Sequence, residues 1–149
     1  MNRLGIIFFA LFFSILYTGS PTQAAKVGAP APAFTAKDSL GKTHKLSEMK
    51  GHFVVLEWHN QGCPYVVSQY KGKMEGLQAK WTKKGVLWFS VISSVAGKQG
   101  HVDAAQANQD VKEHQAHPTA TFMDTDTVIA RAYGAKTTPH MFVINPRGS

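Results

Sequence analysis

Two runs of apolar residues predict buried strands. Residues 53–58 and 86–92 are almost uninterrupted stretches of β-branched and aromatic side chains, which is the pattern of a strand covered on both faces. A third strand is predicted at residues 141–145, soon after Pro139. These runs indicate a sheet whose inner strands form the centre of the domain.

Helical periodicity separates the predicted strands. The apolar residues that follow Pro64 recur at spacings of four, three and four, which predicts one helix to about Lys84 with a single apolar stripe: Tyr70, Met74, Leu77 and Trp81. Residues 102–114 predict a polar helix, and residues 128–133 a short helix that Gly134 ends. This order predicts an α/β domain with a central, mostly parallel sheet flanked by helices. All three tryptophans are expected in its core: Trp58, Trp81 and Trp88.

Both ends of the chain depart from this pattern. Arg3 precedes an apolar run at residues 4–17, which is shorter than the roughly 20 residues of a membrane span. With the small residues that follow, this run predicts a signal peptide at residues 1–24 and a domain at residues 25–149. We therefore expect an extracytoplasmic protein, periplasmic or secreted, with no membrane span after cleavage; an uncleaved leader would act as an anchor. The turn at residues 146–148 predicts a further strand, so the domain is expected to be incomplete at its C-terminus.

The charge pattern narrows the possible partners. The chain carries 16 basic and 9 acidic residues, a balance that is also found in proteins that bind nucleic acids. The lysines are scattered along the sequence, no basic stripe is interleaved with aromatic residues, and an exported protein rarely meets nucleic acid. We therefore expect a solvated basic surface, no nucleic-acid partner and no cofactor.

Cys63 is the only cysteine in the sequence. Because oxidising compartments normally select paired cysteines, this residue is either an inert packed thiol or a thiol that reacts with something outside the chain. It lies between the strand at 53–58 and the helix that Pro64 opens. Free N–H groups and the helix dipole favour a thiolate at such a position. We therefore predict that Cys63 is a nucleophile.

Three motifs resemble a known family. Cys63-Pro64-Tyr65-Val66 is similar to a thioredoxin or glutaredoxin active site, and residues 133–144, with Thr138 and Pro139, resemble the segment that carries the cis proline of thioredoxin folds. Residues 27–51 resemble the lead-in of peroxiredoxins. Residues 27–148 thus resemble the thioredoxin superfamily, and within it the peroxiredoxin-like group of alkyl hydroperoxide reductase, thiol-specific antioxidant and redoxin-like proteins. The resemblance implies a thioredoxin-like fold in which Pro139 is cis and faces Cys63.

The departures from the family pattern refine the expected activity. Val66 stands where a dithiol oxidoreductase has its second cysteine, and Leu56 and Asn60 stand where peroxiredoxins have a proline and a threonine. What remains resembles the subgroup with a single active-site cysteine. The resemblance implies a thiol-dependent antioxidant or oxidoreductase in which Cys63 attacks a peroxide or a partner protein's disulfide. An external thiol or dithiol reductant would complete the cycle.

The resemblance also implies a pocket around the thiol. Backbone groups beside Thr138 and Pro139 would dock an extended thiol substrate, and His59 or His140 could assist proton transfer. The expected pocket residues are Asn60, Gly62, Pro64, Thr138, Pro139, His140 and His59.

Two other functions are compatible with the same residues. One cysteine and two histidines can bind soft ions, so Cys63 with His59 and His140 is an alternative copper or zinc carrier site. A catalytically degenerate thioredoxin-fold module that only binds a partner is the second alternative. The remaining histidines have no common spacing and are predicted to be solvated: His44, His52, His101, His114 and His117.

Overall fold

The computed structural model describes residues 24–149. Except for Ala24, the predicted signal peptide lies outside the described residues. None of the helices in the described part has both the length and the apolar character needed to cross a membrane. The elements, in chain order, are β1 (Thr35–Lys37), β2 (Thr43–Lys45), a 3₁₀ turn (Leu46–Met49), β3 (Val54–Trp58), α1 (Pro64–Gln69), α2 (Lys73–Thr82), β4 (Leu87–Ile92), α3 (Ala104–Glu113), β5 (Ala120–Met123), α4 (Val128–Tyr133) and β6 (His140–Ile144).

The central sheet has the strand order β5-β4-β3-β6. Strand β4 runs parallel to both β3 and β5, whereas β6 is antiparallel to β3. The mostly parallel α/β sheet predicted from the sequence is therefore confirmed. Because Trp58 pairs with His140 in register, the end of β3 lies beside the start of β6. This register places the turn that follows β3 next to the loop that precedes β6.

Strand β3 is buried on both faces, as its apolar run predicts. Its residues Val54, Leu56 and Trp58 belong to the larger apolar cluster, in which the rings of Phe89 and Phe122 stack with centroids 4.4 Å apart. A second cluster contains Val55 and four side chains from the part of the chain between the start of α1 and the end of β4: Val66, Tyr70, Met74 and Trp88. The partly buried Cys63 packs against this cluster. Strand β3 is thus the element that carries the chain from the core to Cys63.

The predicted long helix after Pro64 is wrong in part. Helix α1 ends at Gln69, and α2 begins after Gly72, whose φ of +93° is a left-handed conformation that favours glycine. The break shifts the helical phase, so Leu77 and Trp81 are 44% and 39% exposed. The prediction that Trp81 belongs to the core is therefore wrong, whereas Trp58 and Trp88 are buried as predicted.

One of the histidines predicted to be solvated is packed against the core. Strands β1 and β2 form a hairpin that places the side chain of His44 beside the rings of Phe89 and Phe122, with centroids 5.7 and 5.3 Å away. The side chain of His44 is only 14% exposed, and its Nε2 lies 2.7 Å from Oδ2 of Asp38. The buried carboxylate of Asp38, 6 residues earlier in the chain, therefore takes the place of water as the hydrogen-bonding partner of His44.

Candidate functional site

Asn60 builds the turn that leads from β3 to Cys63. Its Oδ1 accepts the N–H of Gly62 at 2.9 Å, and its carbonyl oxygen accepts the N–H of Cys63 at 2.9 Å. Its Nδ2 donates to Oε1 of Gln99 at 3.2 Å, which ties the turn to the loop after β4. Cys63 then stands as the residue immediately before α1, with Pro64 in the first helical position, where its missing N–H costs nothing.

The loop before β6 lies against the thiol. The Thr138–Pro139 peptide bond is cis, and the Sγ of Cys63 lies 3.1 Å from the carbonyl oxygen of Thr138. Both segments are held in place by the pairing of Trp58 with His140. The structure therefore brings together the two parts of the chain that the sequence motifs pair, the cysteine turn and the proline loop.

Hydrogen bonding lowers the pKa of Cys63. The side chain of Thr138 makes the largest contribution, and the N–H groups of Val66 and Tyr65 add to it; together they outweigh the partial burial of the thiol, which raises the pKa. The carbonyl of Thr138 acts in the opposite sense, because it accepts from the protonated thiol. The donors prevail, so this thiol ionises more readily than an ordinary cysteine.

Two substitutions separate the effect of the Thr138 hydroxyl on the pKa of Cys63 from the effect of the size of the Thr138 side chain. We expect Thr138→Val to raise the pKa of Cys63, because the isosteric side chain has no hydroxyl to donate to the thiolate, whereas Thr138→Ser should leave the pKa close to that of the natural protein. Thiolate absorbance in the ultraviolet, followed as the pH is raised, measures both. In the natural protein the thiolate should appear below the ordinary cysteine value of about 8.5. Equal pKa values in the valine and serine variants would contradict this role.

An open cleft adjoins the residues that contact Cys63. Its volume is about 290 Å³, and its lining is Trp58, His59, Asn60, Ser93, Ser94, Ala130, Ala135, Lys136, Thr137 and Thr138. Asn60 and Thr138 both hydrogen-bond to Cys63. The cleft therefore reaches the two residues that hydrogen-bond to Cys63, although Cys63 itself does not line it.

The contacts of His59 and His140 described here are with residues other than Cys63. The Nε2 of His59, which is 6% exposed, lies 2.8 Å from Oδ2 of Asp110, and the ring of His140 packs on Phe142 with centroids 4.5 Å apart. Within residues 24–149, no three side chains of Cys, His, Asp or Glu are grouped so that they could hold a metal ion. The structure therefore does not assemble the copper or zinc site of Cys63 with the two histidines.

Asp110 is a residue that the sequence analysis missed. Its carboxylate accepts from His59 and lies 3.2 Å from Nδ1 of His114. Burial raises the pKa of Asp110, but hydrogen bonding and charge from the two histidines outweigh burial and hold the pKa below its usual value. The spacing of four between Asp110 and His114 on α3 was visible in the sequence, whereas the partner His59, 51 residues away, was not. His114, which was predicted to be solvated, is only partly so: its side chain is 31% exposed and contacts Asp110.

A buried carboxyl group lies in β3, six residues before Cys63. Glu57 is 0% exposed and accepts from Tyr70 Oη at 2.7 Å, Gln78 Nε2 at 3.0 Å and Trp88 Nε1 at 2.7 Å. Burial, followed by the neighbouring Glu57, raises the pKa of the Tyr70 hydroxyl, so this hydroxyl remains a donor. The network ties β3 to β4 and to the two helical segments that follow Cys63.

Comparison with known proteins identifies the family. The sequence pattern of the AhpC/TSA family matches residues 27–149. The chain belongs to the AhpC/TSA family. It is 28% identical over 134 residues to the thiol-disulfide oxidoreductase ResA of Bacillus subtilis (strain 168), an alignment that covers 85% of this chain and 65% of the relative. The chain therefore spans slightly less than two thirds of the length of this relative.

Solved structures show the same fold. A hypothetical protein from Sinorhizobium meliloti 1021 superposes with a TM-score of 0.74 at 20% identity, covering 85% of this chain and 68% of the other. The thioredoxin domain of a thiol-disulfide oxidoreductase from Bacteroides vulgatus superposes with a TM-score of 0.64 at 20% identity, covering 84% of this chain and 85% of the other. The AhpC/TSA protein described here thus has the thioredoxin-like fold, and the family and fold predicted from its motifs are confirmed.

Proposed function

We propose that this AhpC/TSA protein is a thiol-dependent oxidoreductase in which Cys63 is the nucleophile. The observation that carries the proposal is the position of the Cys63 sulfur, 3.1 Å from the carbonyl of Thr138 at the cis peptide bond. Thr138 also lines an open cleft. The lowered pKa of this partly exposed thiol adds support, because the thiolate is the reactive form. A cysteine used only for packing needs neither a position against the proline loop nor a lowered pKa.

The reaction on a partner disulfide is a thiol-disulfide exchange. The Cys63 thiolate attacks one sulfur of the disulfide, a new S–S bond forms, and the other sulfur of the partner leaves as a thiolate. Cys63 is the only cysteine of the sequence. An external thiol must therefore attack the mixed disulfide, which returns Cys63 as a thiolate and leaves the partner bonded to the external sulfur.

The amide of Asn60 favours a disulfide over a peroxide as the oxidant. Asn60 stands where the resemblance places the threonine of peroxiredoxins, and its Oδ1 and Nδ2 are bound to Gly62 and Gln99. Two of the three similar proteins named above, ResA and the Bacteroides vulgatus protein, are thiol-disulfide oxidoreductases. We therefore assign a protein disulfide as the first substrate class and a peroxide, which would leave a sulfenic acid on Cys63, as the second. The backbone beside Thr138 and Pro139 would dock the partner chain.

Its place in the cell follows from the leader pattern. An extracytoplasmic location is part of the proposal, on the strength of the apolar run at residues 4–17 and the small residues that follow it. A compartment that contains oxidised partner proteins would supply the proposed substrate.

The rate at which the thiol exchanges tests the proposal. At a pH near 6, we expect the folded protein to form a mixed disulfide with a small aromatic disulfide faster than the same chain in urea, because folding lowers the pKa of Cys63 and so raises the thiolate fraction. Intact mass would show one adduct, which dithiothreitol removes, and Cys63→Ser would show none. A folded thiol that reacts no faster than the unfolded one would overturn the assignment. A parallel reaction with hydrogen peroxide and a sulfenic-acid probe, if faster than the disulfide reaction, would reverse the order of substrates.

A further inference from the structure

A cluster of cations lies at the end of the sheet opposite Cys63. Strand β3 begins at this end with Val54 and finishes at the other with Trp58, from which the chain turns to Cys63. Three segments meet here: residues 50–53, 80–87 and 145–148. Their connections are Gly51 N–H to the Pro146 carbonyl at 3.0 Å, Leu87 N–H to the Phe53 carbonyl at 2.9 Å, and His52 Nδ1 with the Gly85 carbonyl at 3.2 Å. We call these three segments the basic pole.

The basic pole combines positive charge with exposed aromatic side chains. None of the three segments contains an aspartate or a glutamate. Five cationic side chains are exposed there: Lys50, Lys80, Lys83, Lys84 and Arg147. Phe53 is 50% exposed and Trp81 is 39% exposed, and Leu77 is 44% exposed one turn earlier on α2. A charged face that contacts only water needs no exposed aromatic side chains. The exposed rings of Phe53 and Trp81 therefore indicate that the basic pole contacts a partner.

We propose that the basic pole docks on a lipid bilayer that contains anionic phospholipids. Lysine and arginine attract anionic headgroups, and aromatic and leucine side chains at the same level can enter the boundary between headgroups and acyl chains. The cations with the exposed Phe53 and Trp81 supply both features at this end of the domain, and Leu77 lies one helical turn earlier on α2. The proposal is independent of the redox assignment, and it leaves Cys63 at the end of the domain that faces away from the bilayer.

The arrangement around Trp81 favours a membrane over a nucleic acid. Both surfaces carry phosphates, but single-stranded nucleic acids also stack their bases on open aromatic faces. The Nζ atoms of Lys80 and Lys84 lie 5.3 and 5.0 Å from the centroid of the Trp81 ring. The ring face is therefore already used by the two ammonium groups, which would themselves be available to headgroup phosphates.

Sedimentation with lipid vesicles tests the proposal. The full chain would be mixed with vesicles of phosphatidylcholine alone or of phosphatidylcholine with phosphatidylglycerol. The leader, with its positively charged Arg3, is the same in all variants, so differences between variants report the contribution of the basic pole. We expect stronger binding to the anionic vesicles, weakening as salt screens the charges. Each lysine near an anionic surface contributes about fivefold to the partition coefficient. The triple variant Lys80→Gln, Lys83→Gln, Lys84→Gln should therefore lose on the order of a hundredfold of the preference for anionic vesicles.

A second triple variant controls for net charge. Lys37→Gln, Lys42→Gln, Lys112→Gln removes the same three charges from exposed positions outside the basic pole and should keep most of the preference. Equal binding of the natural protein to both vesicles, or an equal loss in both triple variants, would overturn the proposal. So would tighter binding to a single-stranded oligonucleotide than to the anionic vesicles, which would assign the surface to nucleic acid. The rate of Cys63 alkylation should be unchanged in both variants, so this test fails or succeeds separately from the redox assignment.

Discussion

Replacement of Glu57 by alanine is expected to remove a large share of the free energy of unfolding of the domain. The change leaves two buried donors, on Tyr70 and Trp88, without the acceptor they use here, and Gln78 keeps only its bond to the Tyr70 hydroxyl. Each unsatisfied buried group costs about 1–3 kcal/mol, and the cavity left by the side chain adds to this. Because domains are stable by only about 5–15 kcal/mol, we expect a loss of about 4–6 kcal/mol, measured by urea unfolding followed by circular dichroism.

Two further variants separate the network from general effects. Glu57→Gln keeps the shape and one acceptor oxygen, so about 1–2 kcal/mol should be lost. Glu113→Ala removes an exposed carboxylate whose contact with Gln109 is on the surface, and it should change stability by less than about 0.5 kcal/mol. If Glu57→Ala unfolds at the same urea concentration as Glu113→Ala, the network does not stabilise the domain as proposed.

The Glu57 network also shows what the sequence could not reveal. The strand at 53–58 was predictable from its apolar run, and Glu57 lies inside it without any local feature that marks it. Its donors are 13, 21 and 31 residues away, and only the packing of α2 and β4 on β3 brings them together. A buried carboxyl group in an apolar strand requires such partners, but the sequence does not say which ones.

The elements that were predicted correctly have either a long apolar run or a residue in the sequence that clearly marks where the element ends. Strands β3 and β4 have continuous apolar runs, and α4 is bounded by Gly134. Strand β5 and the hairpin of β1 and β2 were missed, because strands of three or four residues are too short to show a period. Their pairing depends on neighbours far along the chain, and pairing of that kind leaves no local signal.

The error in α2 has a single physical origin. Tyr70 and Met74 are buried as the helical spacing predicts, but the chain leaves the helix at Gln69 and restarts after Gly72. In α2 the inward positions after Met74 are therefore taken by Gln78 instead of Leu77 and Trp81, which exposes Trp81 among lysines. Trp81, predicted to lie in the core, thus lies beside Lys80 and Lys84 instead.

Some contacts of the candidate site could be predicted from the sequence, and others could not. The motifs predicted that the proline loop would meet Cys63, and the structure places Thr138 against the sulfur. The motifs did not predict that His59 would be held by Asp110 on α3, since that contact depends on how α3 docks. The loop that follows β4 was also left without a role, although Gln99 holds the amide of Asn60.

Replacement of Gly100 by alanine is expected to disturb the turn that presents Cys63. Gly100 has a φ of +82°, and a Cβ atom there would overlap the side-chain amide of Asn60. That amide accepts the N–H of Gly62, so its displacement removes a hydrogen bond that shapes the turn before Cys63. A left-handed conformation costs a non-glycine residue about 1–2 kcal/mol, and the overlap adds about 1–3 kcal/mol. We expect Gly100→Ala to lower stability by about 2–5 kcal/mol and to change the rate of Cys63 alkylation.

Gly97 provides the matched control within the same loop. Its φ is +76°, but a Cβ atom there would meet nothing within 4 Å. Gly97→Ala should therefore show only the backbone cost of about 1–2 kcal/mol and leave the alkylation rate of Cys63 unchanged. Equal effects of the two alanine variants on that rate would show that the contact with Asn60 does not control the turn.

The double variant Asn60→Ala, Gly100→Ala isolates the contact itself. Asn60→Ala alone removes the hydrogen bond to Gly62 and should slow or speed alkylation in the same direction as Gly100→Ala. Because the atoms that Gly100→Ala would strike all belong to the Asn60 amide, the two changes combined should cost less stability than the sum of the single changes, by about 1 kcal/mol or more. Strict additivity would mean that the positive φ of Gly100, rather than its approach to Asn60, is what requires glycine.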